Sequence, residues 1–186
     1  DYAFYGCDSL TSITIPDSVT SIGDSAFKYC YSLTSITIPD SVTSIGDSAF
    51  AFCNILTSIT IPDSVTSIGD SAFEDCDALI QIENGVHYVD RWVIDCDGDV
   101  SDVALRENTI GIADSAFEDC DSLTSITIPD SVTYIGYTAF YGCDSMTDVY
   151  YTGTSTQWRS ILIDSWNDGL LAATIHYTEE PSGEPE

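Results

Sequence analysis

A solenoid of stacked coils is the fold class this sequence predicts, and three observations predict it. The segment LTSITIPDSVTSIGDSAF begins at Leu10 and returns at Leu33, Leu56 and Leu123, with a step of 23 residues between the first three copies. Cysteine keeps the same beat at Cys7, Cys30, Cys53, Cys76, Cys120 and Cys143. Each unit also carries an apolar side that only a stacked neighbour can cover, which is the condition for a repeat array rather than an independent small domain.

Residues 1–9 are the back half of a coil. In the first full coil Ile13 and Ile15 alternate with Ser12 and Thr14, the pattern of a half-buried strand of β-branched residues. Pro16 cannot donate to a ladder and ends the strand, and Asp17-Ser18 supplies turn chemistry. Val19 and Ile22 point inward on the return path and Gly23 turns the chain. Asp24-Ser25 then reads as the cap of a single helical turn carrying Ala26, Phe27 and Cys30. Stacking places successive strands about 4.8 Å apart in a parallel sheet. Identical residues then form files: a phenylalanine spine (Phe4, Phe27, Phe50, Phe73, Phe117, Phe140), an isoleucine face and a cysteine file.

The array breaks once, where Cys76 and Cys120 stand 44 residues apart. DALIQIENG starts an ordinary strand, and HYVDRWVIDCDGD reads as an inserted β-hairpin turning near Asp90-Arg91. VSDVALRENTIGIADSAF aligns position for position with the repeat, so the solenoid resumes at Val100 and the first sheet is expected to continue past the insertion. After Met146 the pattern changes, with Trp158, Ile161 and Leu162 at helical spacing and a final strand in AATIHY. A solenoid needs an atypical last unit to seal its core, so residues 147–178 are expected to be that cap, with Trp158 and Trp166 as its plugs. The expected organisation is one solenoid over 1–178: regular coils 1–78, strand plus hairpin 79–99, regular coils 100–146 and cap 147–178, followed by an acidic tail 179–186. Both ends read as cut from a longer protein, so the missing signal peptide carries no weight.

The unit LTSITIPDSVTSIGDSAFKYC, with its IP, IG and AF-x-x-C marks, resembles the BspA-like leucine-rich repeat of bacterial surface and secreted proteins, a family also expanded in some protozoan parasites. The resemblance covers roughly residues 1–178. It implies a leucine-rich-repeat solenoid, right-handed and mainly parallel β with short helical turns, whose L-x-x-I-x-I strands line the concave side. It also implies an extracellular or cell-surface location, and adhesion or protein binding rather than catalysis, with a host matrix protein or other surface protein as partner.

Charge narrows the partners. Four Lys+Arg against 31 Asp+Glu give a net charge of −27, which repels nucleic-acid phosphates and anionic membrane leaflets. No apolar run reaches the roughly 18 residues of a membrane span. A monomer without cofactor is expected.

Candidate chemistry is thin. The file cysteines are expected to be free buried thiols, because parallel neighbours keep their Cβ atoms near 4.8 Å whereas a disulfide wants about 3.8 Å. The files Asp17, Asp40, Asp63, Asp130 and Asp24, Asp47, Asp70, Asp114 are explained by turns and caps. Exposed carboxylates about 4.8 Å apart repel by only about 1 kcal/mol in water, so no ion is required between them. In DCDGDVSD, the residues Asp95, Asp97 and Asp99 match positions 1, 3 and 5 of a calcium loop, but Val100 and Arg106 replace its glycine and glutamate, which leaves a weak calcium candidate. His87 and His176 are the only histidines, and no phosphate loop, HExxH or nucleophile elbow occurs, so no enzyme is expected.

The outward rows of the concave face are the stronger lead. One runs Ser12, Ser35, Ser58, Gln81, Asp102, Ser125, Asp148, and the other Thr14, Thr37, Thr60, Glu83, Ala104, Thr127, Tyr150, with His176 next. The variable residues Gln81, Glu83, Asp102, Asp148 and Tyr150 are the candidate binding residues for a protein partner. An aromatic patch at Tyr134 and Tyr137, which replace a consensus serine and aspartate, with Tyr141 following Phe140, is the alternative, suited to stacking on a glycan in a polysaccharide-degrading assembly. Tyr5, Tyr29, Tyr31 and Phe52 cluster similarly near the start. A third reading is a structural spacer that displays another domain.

Overall fold

A computed structural model describes residues 1–178, and the expected acidic tail lies outside the described residues. The strands in chain order are β1 (Ser21–Ile22), β2 (Ser35–Thr37), β3 (Ser44–Ile45), β4 (Ser58–Thr60), β5 (Ser67–Ile68) and β6 (Gln81–Glu83). Then come β7 (Val86–Val89), β8 (Trp92–Cys96), β9 (Asp102–Ala104), β10 (Gly111–Ile112), β11 (Ser125–Ile128) and β12 (Tyr134–Ile135). The last coil holds β13 (Asp148–Tyr151), α1 (Ser155–Trp158), β14 (Leu162–Ile163), α2 (Asp168–Ala172) and β15 (Thr174–Tyr177). Together they make a parallel-strand β-solenoid of about seven turns.

Two ladders come from the two apolar pieces of the repeat. The L-x-x-I-x-I pieces pair in register, Ser35 with Ser58 and Asp102 with Ser125, Asp148 and Thr174 in turn. The V-x-x-I-G pieces pair as β1-β3-β5 and as β8-β10-β12-β14. In the first full coil only Thr14 bridges to Thr37, so the strand expected there is reduced to a single bridge.

The corner between Gly23 and Cys30 is not a helical turn. Ser25 and Tyr29 take left-handed φ values of 52° and 65°, and Ser48 and Phe52 repeat them at 52° and 64°. These flips turn alternate peptide planes along the stacking axis. Ser25, Phe27 and Tyr29 donate their N–H groups to Asp47, Ala49 and Ala51 of the next coil at 2.8, 2.8 and 2.9 Å, while Ala26, Lys28 and Cys30 bond three residues back. A helix would keep all these donors internal, so the array gains a third inter-coil ladder by giving up the helical turn. The outcome matches the demand that buried backbone groups be paired.

Inside, the phenylalanines stack face to face, with ring centres 5.1 to 5.4 Å apart from Phe4 to Phe73 and 5.0 Å between Phe117 and Phe140. The cysteine file has a polar duty as well as an apolar one. Each thiol at Cys30, Cys53, Cys76 and Cys143 donates to the carbonyl of the preceding coil's phenylalanine, at 3.0 to 3.3 Å.

The hairpin turns at Asp90-Arg91 as expected, but its consequences differ from the expectation. Its strand β8 enters the return ladder, with Trp92 beside Gly111 and Val93 beside Ile112. A Cβ on Gly111 would overlap the Trp92 ring, so glycine replaces the serine of the consensus there. Strand β6 then follows β7 antiparallel, and leaves the sheet its sequence belongs to. That sheet is therefore not continuous past the insertion: it is two-stranded before it (β2-β4) and four-stranded after it (β9-β11-β13-β15). Two of the chain's four cations dock the hairpin. Arg91 pairs with Asp63, and Arg106 bonds Glu83 at 2.8 Å and Gln81 at 3.1 Å while lying 4.0 Å over the Tyr88 ring.

One cysteine of the file is not free. Cys120 is bonded to Cys96, the cysteine outside the file, because the hairpin strand runs beside the coil that holds Cys120. Labelling of the denatured, unreduced chain is expected to find five thiols, and all seven after reduction. Seven before reduction would exclude this bond.

The cap is sealed by Trp158, Ile161 and Leu170, with 6, 8 and 0% of their surfaces exposed. Trp166 is not a plug: with φ at 64° it is 57% exposed, and the neighbouring Asn167 points inward instead, 1% exposed. Among the described residues no helix is long and apolar enough to cross a membrane.

Candidate functional site

Register sets the site on the four-stranded sheet. Residues alternate faces along a strand, so Val103, Ile126 and Val149 go into the core while Asp102, Ser125, Asp148 and Thr174 form one outward row. Ala104, Thr127, Tyr150 and His176 form the second row. Asp102, Asp148 and Tyr150 are thus brought onto one surface, and His176 joins them in the expected place.

The row is held by its own side chains. His176 Nε2 lies 2.7 Å from Asp148 Oδ1, the Thr147 hydroxyl donates to Asp148 Oδ2 at 2.8 Å, and the Ser125 hydroxyl donates to Asp102 Oδ1 at 2.7 Å. The Tyr150 and His176 rings stack at 4.7 Å with 13° between their planes. The His176 contact, and then the Thr147 hydroxyl, hold the Asp148 carboxyl below the usual carboxylate range. The result is an anionic and aromatic surface whose rotamers are already chosen.

Gln81 and Glu83 lie elsewhere. Carried off with β6 into the hairpin sheet, they are engaged by Arg106 and share no strand pairing with Asp102 or Asp148. The aromatic patch also divides. Tyr134 is half-buried, its ring 6.1 Å from Trp92 and its hydroxyl 3.5 Å from Asp114. Tyr137 and Tyr141 are 46% and 48% exposed, and Trp166 joins them along one open cleft with Asp114 and Glu118. Sequence reasoning misses Trp166 as a surface residue because an aromatic in a terminal coil suggests a plug.

The calcium candidate does not assemble. Asp95 and Asp97 flank the His87 ring, at 3.7 Å from Nδ1 and 3.0 Å from Nε2, and no three acidic, histidine or cysteine side chains among the described residues gather as a metal-ligand set. The second aspartate file has a structural duty. Asp24 accepts the Asp47 N–H at 3.1 Å, Asp47 that of Asp70 at 3.1 Å, and Asp114 that of Tyr137 at 2.8 Å. Burial pushes the Cys30 thiol up to about 11 and the Cys143 thiol up to about 12, which keeps both protonated and un-nucleophilic near neutral pH.

Asp114 carries a pH signature. Burial pushes its carboxyl up to about 6, with Asp47 and Asp164 adding repulsion and the Tyr137 N–H opposing the shift. The folded form holds this proton to higher pH than the unfolded chain. Its contribution is therefore full below about pH 4 and is lost as pH rises through about 6. Asp114→Asn keeps the acceptor for Tyr137, so it is expected to raise the urea midpoint over wild type at about pH 7.5 and leave it unchanged at about pH 4. A variant equally displaced at both values would show that this carboxyl titrates normally.

A protein-family match agrees with this fold. The family described as the BspA type leucine rich repeat region matches residues 1–94 and 95–162, in six copies. No curated protein matches the chain. Solved structures similar to it include a leucine rich cell surface protein from Faecalibacterium prausnitzii, 26% identical at a TM-score of 0.43, covering 88% of this chain and 65% of that one. The T. pallidum leucine rich repeat protein is 24% identical at a TM-score of 0.45, covering 90% of this chain and 85% of that one. A leucine-rich repeat protein from Bacteroides ovatus is 25% identical at a TM-score of 0.31, covering 81% of this chain and 51% of that one. The chain thus spans less than two thirds of the first and third of these.

Proposed function

The chain belongs to the BspA-type leucine-rich repeat family, and from that premise we propose that it is a non-catalytic recognition module of a secreted or cell-surface protein, binding a protein partner through the sheet β9-β11-β13-β15. The observation that supports this is the pre-set row Asp102, Asp148, Tyr150 and His176. Side chains already fixed by the Asp148–His176 contact and the Tyr150–His176 stack lose little freedom on binding. Tyrosine is a common anchor residue, and the acidic row selects a basic partner.

The purified protein is to be run over a panel of matrix and surface proteins and over a glycan array, at low and physiological salt. A salt-sensitive protein ligand that Asp102→Ser and Asp148→Ser each weaken several-fold is the expected result. A second reading, glycan stacking, draws on Tyr137, Tyr141 and Trp166 sharing one cleft. It predicts a salt-insensitive glycan ligand lost in Tyr141→Ala. Silence on both panels would favour a spacer and contradict both readings.

A further inference from the structure

The inserted hairpin leaves one corner of the solenoid without a layer. From the ladder position Ile112 to the file position Cys120 a regular coil uses eight residues (120 − 112), whereas from Val93, paired with Ile112, to Cys96, bonded to Cys120, the hairpin uses three (96 − 93). The hairpin layer cuts across where its neighbours swing outward. A cavity of about 500 Å³ results, lined by Ser71, Phe73 and Asp75 of the coil before and Ser115 of the coil after, with Ile80, Ile82 and Ile94 as an apolar floor.

The backbone on both walls is set for a strand. In the preceding coil Ser48, Phe50 and Phe52 donate along the axis to Asp70, Ala72 and Glu74. Their equivalents Ser71, Phe73 and Asp75 keep the same conformation, with φ of 51° at Ser71 and 53° at Asp75, but donate to no carbonyl among the described residues. At one end the two coils meet directly, the Asp114 N–H donating to the Ile68 carbonyl at 3.0 Å, and beyond that contact the carbonyls of Ala116 and Glu118, which a preceding layer would bond, accept no backbone N–H among the described residues. Unpaired donors on one coil and unpaired acceptors on the next make a template for an added strand. Asp70, Glu74, Asp75, Asp77 and Asp95 line the same cavity beside His87, and among the described residues no lysine or arginine does.

We propose that this notch binds an extended cationic peptide segment, which enters parallel to the coils, pairs its backbone with both walls and completes the missing corner layer. Side chains of such a strand alternate, so apolar residues meet Ile80, Ile82 and Ile94 while the residues between them carry Lys or Arg toward the acidic rim. The site is separate from the sheet β9-β11-β13-β15 and does not depend on the reading of that sheet.

The probe is a fluorescently labelled pentapeptide of alternating lysine and valine, titrated into the whole protein and read by anisotropy. Saturable binding is expected, weakened at least tenfold in the exposed-residue variant Glu74→Lys/Asp95→Lys, while Asp102→Ser/Asp148→Ser binds as wild type. N-methylation of alternate peptide nitrogens tests the backbone pairing with the protein unchanged: one phase abolishes binding by removing the donors to Ala116 and Glu118, and the other phase leaves it. The amides of Phe73 and Asp75 should exchange more slowly with peptide bound. Equal binding of a glutamate-valine peptide, indifference to both methylation phases, or no binding would each overturn the proposal.

Discussion

Phe50→Ala is expected to destabilise the protein by about 3–5 kcal/mol, the range for deleting a fully buried aromatic and leaving a cavity. Phe50 has none of its surface exposed and lies between Phe27 at 5.2 Å and Phe73 at 5.4 Å, with interplanar angles of 4° and 5°. In a stacked array stability is a sum of unit and neighbour terms, so this residue supports two interfaces at once. Its carbonyl also accepts the Cys76 thiol at 3.0 Å, a bond that any substitution at position 50 retains in principle. Urea denaturation checks the figure, and Phe50→Leu should cost clearly less than the alanine variant because most of the volume remains. Equal losses for the two would contradict a volume-based account and mean that only an aromatic ring serves at this position.

The second large effect is expected at the other end, where Asn167→Ala should cost about 3 kcal/mol by leaving buried polar groups unsatisfied. The next coil would have supplied an acceptor to the Phe140 N–H, as Ala139 does for Phe117. The cap supplies it from a side chain: Asn167 Oδ1 accepts that N–H at 2.9 Å, and Asn167 Nδ2 donates to Gly136 at 2.8 Å and Asp164 at 2.9 Å. One amide thus ends the ladder that repeats along the coils after the insertion. Because neighbour terms are local, the loss should appear first as faster amide exchange at Phe140 and in the cap, before the coils around Phe50 respond. Uniform loss of protection along the chain would contradict this role for the cap.

The files are legible in the repeat itself. Phenylalanine, cysteine, threonine and aspartate rows follow from the 23-residue step alone, and the register Asp102–Ser125–Asp148 follows from the alignment across the insertion. What stays hidden depends on backbone hydrogen bonding, which side-chain patterns do not encode. LTSIT and ALIQIE alternate alike, yet β6 leaves the sheet because β7 follows it after a two-residue turn and captures its edge. Asp24-Ser25 reads like a helix cap because serine and aspartate suit both a cap and a left-handed corner. Trp166 outranks Asn167 by hydropathy, but the ladder's end needs an amide more than another ring. Alternation is enough to find the outward rows, but not to show that Gln81 and Glu83 leave them with β6.

The most direct test of recognition by the sheet is the association rate of a protein ligand from the panel, measured across a salt series for wild type and for Asp102→Ser/Asp148→Ser. Recognition through the acidic row predicts a rate that falls steeply with salt in wild type, and a slower, flatter dependence in the variant. A rate indifferent to salt, or a variant that follows the wild-type curve, would contradict it.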